Sequence, residues 1–167
     1  MEYEENSGLE FAQVGWVIPD IHEAIAFFSE TLGITGFPLP QRIRALDLNM
    51  SYYGQAIAGE WLTSQVYNGA CFIELVQPLG GKSMFHDYLD KFPLGGIQHN
   101  AFRLPVRGYA KVIQDMKRKG FEIISEVDHP IARMTFFDTY ATLGVATEIM
   151  GITDGGWAAI EKMEHTG

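Results

Sequence analysis

The stretch Gln13-Val14-Gly15-Trp16-Val17-Ile18-Pro19-Asp20 decides the fold, because it leads a mostly apolar run into a proline and then into a helix signal. A short apolar run that stops at a proline is typical of a β-strand. Asp20 is a good helix N-cap, and the apolar residues after it recur at helical spacing up to Gly33, a common helix stop. The sequence therefore predicts a strand followed directly by a helix.

The same order of elements returns in the second half of the chain. Residues 97–104 form another apolar run that ends at a proline, and the predicted helix after it ends at Gly120. Gln13 and His99 are separated by 86 residues, the same separation as between Pro19 and Pro105. Three strands are predicted after each helix. This matched order indicates an internal repeat.

We therefore expect an α+β protein with a single domain over residues 1–167. The first βαβββ module covers residues 9–78, and residues 42–53 within it are predicted to form one strand. Residues 79–96 are a linker with a short helix, and residues 97–151 are the second βαβββ module. Residues 152–167 are a C-terminal tail that includes a short packed helix.

Composition excludes several classes of protein. The chain has 167 residues, of which 47% are hydrophobic, and a single cysteine, Cys71. It is therefore neither disordered nor held together by internal disulfides. The net charge of −9 would repel nucleic acid. The sequence has no basic, apolar leader and no apolar run of about 18 residues, so we expect a cytoplasmic protein without a membrane partner.

Four polar residues interrupt strands that are otherwise apolar: Gln13, Glu74, His99 and Glu148. A carboxylate without a partner is costly among apolar neighbours, and a divalent cation would remove that cost. Gln13 and His99 are equivalent in the repeat, and each glutamate lies on the last strand of its half. Amide, imidazole and carboxylate ligands suit Zn²⁺, Ni²⁺, Co²⁺, Mn²⁺ or Fe²⁺ better than Ca²⁺. The sequence predicts that the four side chains converge on one such metal ion.

The residues around these positions resemble a known family. The segments that carry the resemblance are Gln13–Asp20 as quoted above, Phe72-Ile73-Glu74-Leu75-Val76-Gln77-Pro78 and Gly96-Ile97-Gln98-His99-Asn100-Ala101-Phe102. They are similar to the vicinal oxygen chelate superfamily, which contains glyoxalases, bleomycin resistance proteins and dioxygenases. Within it they are most similar to the branch of glyoxalase-like proteins and methylmalonyl-CoA epimerases. The resemblance covers roughly residues 9–151.

The resemblance implies paired βαβββ modules that form a curved mixed sheet around a cleft. By position it implies that Gln13, Glu74, His99 and Glu148 are the ligands of a divalent metal. It further implies a metal-dependent isomerase, epimerase or lyase that abstracts a proton next to a chelated carbonyl of a small organic substrate. Glu148 or Glu74 is the candidate base, and a homodimer is a further expectation.

Two other functions stay open at this point. One is a metal-free small-molecule binding protein like the bleomycin resistance proteins, and the other is a non-haem iron dioxygenase of the extradiol type. Val17, Pro78 and Gly95 stand where glyoxalase I holds glutathione, so lactoylglutathione is not the expected substrate. Arg103 lies four residues after His99, on the same side of the strand. It is predicted either to bind a substrate anion or to pair with a surface acid.

Overall fold

A computed structural model describes residues 8–165 as ten strands and five α-helices. The strands, in chain order, are β1 (Glu10–Val17), β2 (Gln41–Arg44), β3 (Ser51–Tyr52), β4 (Gln55–Ala56), β5 (Glu60–Asn68), β6 (Cys71–Pro78), β7 (Gly96–Pro105), β8 (Ile123–His129), β9 (Ala132–Phe137) and β10 (Ala146–Ile152). The helices are α1 (Ile21–Ala26), α2 (Met84–Lys91), α3 (Val106–Arg118), α4 (Tyr140–Leu143) and α5 (Asp154–Glu164). Within this range no helix has the length and apolar character needed to span a bilayer.

All ten strands belong to one mixed sheet with the order β2-β5-β6-β1-β7-β10-β9-β8-β3-β4. β1 and β7 are antiparallel neighbours at its centre, and each pairs in parallel with the last strand of its own half, β6 or β10. Over the first four strands on each side the order outward from the centre is the same, as a duplication would produce, and β3 and β4 then extend the side of β7. The division into modules 9–78 and 97–151 with the linker 79–96 stays a prediction. The predicted α+β class is confirmed.

The predicted strand–helix units form for local reasons that the sequence makes visible. The Asp20 side chain accepts hydrogen bonds from the backbone N–H groups of His22 and Glu23, which caps α1. The helix then widens into a π-helical segment, Phe27–Thr31, before Gly33 adopts a positive φ of 68°. Each central strand is thereby followed at once by a helix that returns the chain along the sheet.

The prediction of one strand over residues 42–53 is wrong. β2 ends at Arg44, and the segment Ala45–Leu48 is a 3-10 turn that ends at Asn49 in the left-handed conformation. The turn is fixed because the buried Ala45 donates its backbone N–H to the Gly59 carbonyl at 2.8 Å. The chain then crosses to the other half of the sheet, where β3 pairs with β8.

The sheet curves so that its two ends face each other. Ile43 on β2 and Val127 on β8 belong to one apolar cluster although six strands of the sheet lie between them. The concave face encloses a cavity of about 490 Å³. α5, the helix of the predicted tail, packs Ile160 against Phe72 and forms one wall of this cavity.

Candidate metal centre

The four predicted ligands lie on four adjacent strands at the centre of the sheet. Gly15 of β1 pairs with Glu74 of β6 on one side and with His99 of β7 on the other. Neighbouring strands are about 4.8 Å apart, so the two flanking side chains can meet above the glycine. This row of three paired residues, one on each strand, brings the Glu74 carboxylate close to the His99 imidazole.

A second row contributes the other two ligands. Ala101 of β7 pairs with Gln13 of β1 on one side and with Glu148 of β10 on the other. Gly15 and Ala101 are themselves 86 residues apart, the separation of equivalent positions in the repeat. The two sets of three paired residues are therefore equivalent to each other. In both rows a small central residue leaves room above the sheet for two larger polar side chains.

The donor atoms of the four side chains lie within hydrogen-bond distance of one another. The Gln13 amide nitrogen Nε2 donates to Glu74 Oε2 at 3.0 Å and to Glu148 Oε2 at 3.5 Å, and it lies 3.0 Å from His99 Nε2. His99 Nε2 is also 3.2 Å from Glu74 Oε2 and 3.4 Å from Glu148 Oε2. Residues separated by 25 to 135 positions in the chain thus place their polar ends at one point.

These distances fit the ligand set of a divalent transition metal. Two ligands at right angles, each about 2.1 Å from a cation, are about 3.0 Å apart. The Gln13 amide here turns its nitrogen to the other three groups, and half a turn of that amide would present its oxygen as a ligand instead. In residues 8–165 no set of three or more His, Cys, Asp or Glu side chains already stands in ligand geometry. The kinds of donor suit a divalent metal, but Glu74, His99 and Glu148 would have to adjust as well as the Gln13 amide, so metal binding at this centre stays a prediction.

The local backbone is built to receive the His99 ring. A Cβ atom on Gly15 would lie within 2.5 Å of three atoms of the imidazole, so any side chain at position 15 would displace the ring. Phe85 and Phe136 flank the same ring, with ring centroids 6.3 and 5.3 Å away. The glycine and the two aromatic rings hold the histidine in place.

Burial and mutual charge change the pKa values of the centre. Burial is the main cause that raises the pKa of Glu148 to about 7; the His99 charge opposes this rise, and the Glu74 charge adds to it. Burial alone would lower the pKa of His99, but the hydrogen bond to Glu74 and the charges of both glutamates outweigh it and raise that pKa. The raised pKa values favour a proton on each of these two groups, and a divalent cation would balance the two carboxylates in place of those protons.

The cavity opens directly onto this centre. Gln13, Glu74 and Glu148 line it, and most of its other wall is apolar. The apolar lining residues include Ile43, Met50, Trp61, Phe85, Phe136, Met150, Ile160 and Met163. Other polar residues, such as Thr63, Gln65 and Arg103, also line it. A mostly apolar cavity with a few convergent polar groups is typical of a small-molecule binding site.

Arg103 lines the same cavity and is almost fully buried. Its Nε and Nη2 atoms donate to Glu10 at 3.1 and 3.2 Å, and its guanidinium lies 5.2 Å from the centre of the Trp157 ring on α5. Its third nitrogen, Nη1, is buried without a hydrogen-bond partner. Glu164 Oε1 lies 3.8 Å from Nη2, and Tyr67 is a further hydrogen-bonding neighbour of the guanidinium. The structure thus contains the ion pair that the sequence offered as one alternative.

Sequence reasoning found some cavity residues and missed others. Trp61 and His129 also line the cavity, whereas Phe137 is fully buried in the core. Ile160 and Met163 were not expected, because no pattern in the sequence indicates that α5 turns back over the sheet.

Comparison with known proteins agrees with this fold. Residues 12–137 match the family described as the Glyoxalase/Bleomycin resistance protein/Dioxygenase superfamily. The chain therefore belongs to that superfamily, which confirms the resemblance found in the sequence. No curated protein matches the chain.

Solved structures of similar fold include enzymes. A methylmalonyl-CoA epimerase from Mycobacterium tuberculosis is 20% identical, with a TM-score of 0.62, and the match covers 95% of this chain and 96% of that chain. A hypothetical protein from Bacillus halodurans is 18% identical, with a TM-score of 0.62 and coverage of 86% and 94%. A Streptomyces coelicolor methylmalonyl-CoA epimerase in complex with 2-nitronate-propionyl-CoA is 19% identical, with a TM-score of 0.57 and coverage of 85% and 93%.

Proposed function

We propose that the protein is a metal-dependent isomerase, epimerase or lyase that removes a proton next to a carbonyl group of a small organic substrate. The observation that carries the proposal is the convergence of Gln13, Glu74, His99 and Glu148, with polar atoms 3.0 to 3.5 Å apart, at the wall of an apolar cavity. The similar fold of two methylmalonyl-CoA epimerases supports the reaction class but not the substrate.

Gln13, Glu74, His99 and Glu148 are the proposed ligands of the cation, for which Zn²⁺, Ni²⁺, Co²⁺, Mn²⁺ and Fe²⁺ are the candidates. When bound, such a cation polarises a carbonyl and stabilises the negative charge that develops on its oxygen. Carboxylates at two of the four positions keep the site anionic enough to retain a divalent ion.

Glu148 is the first candidate for the base. Its carboxylate lines the cavity and is almost fully buried, and its pKa of about 7 suits a group that takes up and releases a proton near neutral pH. Glu74 is the second candidate, because it holds the equivalent position in the other half of the sheet. In an epimerase, two carboxylates in such equivalent positions can act on the two faces of the same carbon.

Arg103 is the proposed anchor for an anionic part of the substrate. It lines the cavity, is buried, and keeps Nη1 free of hydrogen bonds while Glu10 occupies Nε and Nη2. A buried guanidinium N–H without a partner is costly, and a substrate carboxylate or other anion would accept a hydrogen bond from it. Cytoplasmic location and a homodimer remain predictions.

A second candidate function is metal-free binding of an apolar ligand. The Gln13 amide already donates to both glutamates, so the polar centre is satisfied without a cation. The apolar cavity of about 490 Å³ is within the range of small-molecule sites. A protein of this kind would bind ligands equally well with and without chelator.

The test is proton exchange in deuterated water. The protein is loaded in turn with each candidate metal, incubated with methylmalonyl-CoA, hemithioacetals or catechols, and the substrates are followed by NMR and by oxygen uptake. We expect metal-dependent loss of a substrate C–H signal, abolished by Glu148→Gln and retained in the control Glu126→Gln, whose side chain is exposed. Oxygen uptake with catechols would favour a dioxygenase, and ligand binding without exchange would favour the binding protein.

A further inference from the structure

Gln98 is a buried residue beside the candidate metal centre that the proposed reaction does not use. It precedes His99 on β7, and both side chains are fully buried. Adjacent residues of a regular strand point to opposite faces, but here the register slips: Gly15 pairs with His99, whereas Trp16 pairs with Ile97. The extra residue in this bulge is Gln98, which brings its side chain alongside the histidine.

The hydrogen bonds of Gln98 connect the histidine to a tyrosine. Its amide oxygen Oε1 lies 2.7 Å from His99 Nδ1, and its amide nitrogen Nε2 donates to the Tyr140 hydroxyl at 3.0 Å. An amide oxygen can only accept a hydrogen bond, so His99 Nδ1 must carry a proton. In the neutral ring the lone pair is then on Nε2, the atom that faces Gln13 and the two glutamates.

We propose that Gln98, held by Tyr140, is a positioning residue that fixes His99 in its Nδ1–H tautomer and so keeps Nε2 ready to bind a metal. The inference rests on the proposed metal-dependent function. In many metal sites a carboxylate or a backbone carbonyl accepts the second ring N–H of the bound histidine. Here a buried side-chain amide has that role.

An amide suits this position better than a carboxylate for reasons of charge. Glu74 and Glu148 already surround the imidazole, and a third buried negative charge would be costly. Burial raises the pKa of Tyr140, which keeps its hydroxyl neutral as the partner of the Gln98 amide. The outer pair therefore orients the ring without adding charge.

The direct test is ¹⁵N NMR of His99 in the metal-free protein, at a pH high enough for the ring to be neutral. We expect a protonated Nδ1 and an unprotonated Nε2. The reverse tautomer in the wild-type protein would overturn the inference. This measurement needs no variant and no bound metal, so it stays decisive even if the wild-type protein binds no metal and the proposed function fails.

Variants test the consequence for metal binding. Gln98→Leu, which removes the acceptor, is expected to give a mixture of tautomers and to weaken Zn²⁺ binding by about 10- to 100-fold in calorimetry. Gln98→Glu keeps an acceptor at the same position and should keep the Nδ1–H tautomer, while its added buried charge should lower the free energy of unfolding. The matched control is Gln77→Leu, because Gln77 accepts a hydrogen bond from the Ile21 N–H, at the start of α1. It should leave tautomer and affinity unchanged.

Two outcomes of the variant series would overturn the inference. One is a wild-type tautomer and wild-type affinity in Gln98→Leu, and the other is an equal loss of affinity in Gln98→Leu and Gln77→Leu, which would indicate general destabilisation. If Gln98→Leu does not fold, as judged by thermal unfolding, the wild-type spectrum and the Gln98→Glu tautomer decide the question.

Discussion

At the scale of single residues, Arg103 has two roles: it pairs with Glu10, and it is the proposed contact for a substrate anion. Two of its three guanidinium nitrogens are paired with Glu10, an exposed residue at the start of β1, and the third is buried without a partner. The ion pair alone would be worth little because one partner is exposed. The remaining donor, in a cavity wall, is what supports a substrate contact.

Replacing Arg103 by methionine keeps much of the apolar length and removes the donors. We expect KM for an anionic substrate to rise about 10- to 100-fold, the value of a lost hydrogen bond between charged groups, with metal affinity unchanged. Steady-state kinetics and a metal titration measure the two quantities. Arg42→Met is the control, since Arg42 pairs with Glu60 at the surface and does not line the cavity. An unchanged KM would mean that Arg103 serves only to hold its protein partners, Glu10, Glu164 and Tyr67.

The sequence allows some of these residues to be predicted and not others. Glu74 and Glu148 stand out because a carboxylate among apolar strand residues needs a partner, and the 86-residue repeat relates Gln13 to His99. Gln98 gives no such signal, because its role depends on a bulge that only strand register reveals. The predicted ligands stand out from their neighbours in the sequence, whereas the contact of Gln98 with His99 depends on how the strands pair in the sheet.

At the scale of elements, the position of the His99 ring of β7 over β1 depends on Gly15. In Gly15→Ala the added methyl group would displace the His99 ring, so we expect at least a 100-fold loss of metal affinity and destabilisation by about 1–3 kcal/mol. Metal titration and chemical unfolding measure the two effects. The control is Gly80→Ala, because a Cβ at position 80 meets nothing within 4 Å. Wild-type affinity in Gly15→Ala would contradict this geometry of the centre.

Element prediction succeeded where signals are local. Asp20 and Gly33 mark the ends of the first helical segment, as the sequence predicts. It failed over residues 42–53, where a buried turn at Ala45 and a left-handed Asn49 interrupt an apparently continuous run. That turn is stabilised by Gly59, a contact across 14 residues, which periodicity alone does not report.

At the scale of the whole molecule, burial of the acidic centre makes the stability of the metal-free protein depend on pH. The pKa of Glu148 is about 7 in the folded chain and 4.5 as the ordinary value, so the folded state holds its proton more tightly. The tighter binding of this proton stabilises the folded state fully below about pH 4.5. This stabilisation is lost as the pH rises through 7. The raised pKa of His99 acts in the same direction.

We therefore expect the free energy of unfolding of the metal-free wild type to fall, relative to Glu148→Gln, by about 3 kcal/mol between pH 4.5 and pH 8. Urea unfolding of both proteins across this range, with chelator present, measures the difference. Glu126→Gln, at an exposed position, should run parallel to the wild type. A constant difference between wild type and Glu148→Gln would show that Glu148 titrates normally.

The central claim is that Gln13, Glu74, His99 and Glu148 together bind one divalent metal ion. Calorimetric titration of the chelator-treated protein with Zn²⁺, Ni²⁺, Co²⁺ and Mn²⁺, with metal content checked by elemental analysis, tests it most directly. The account predicts one equivalent per chain for at least one of these ions, with affinity lost in His99→Ala and retained in His22→Ala, whose side chain is exposed. No binding by the wild type, or equal binding by both variants, would contradict it.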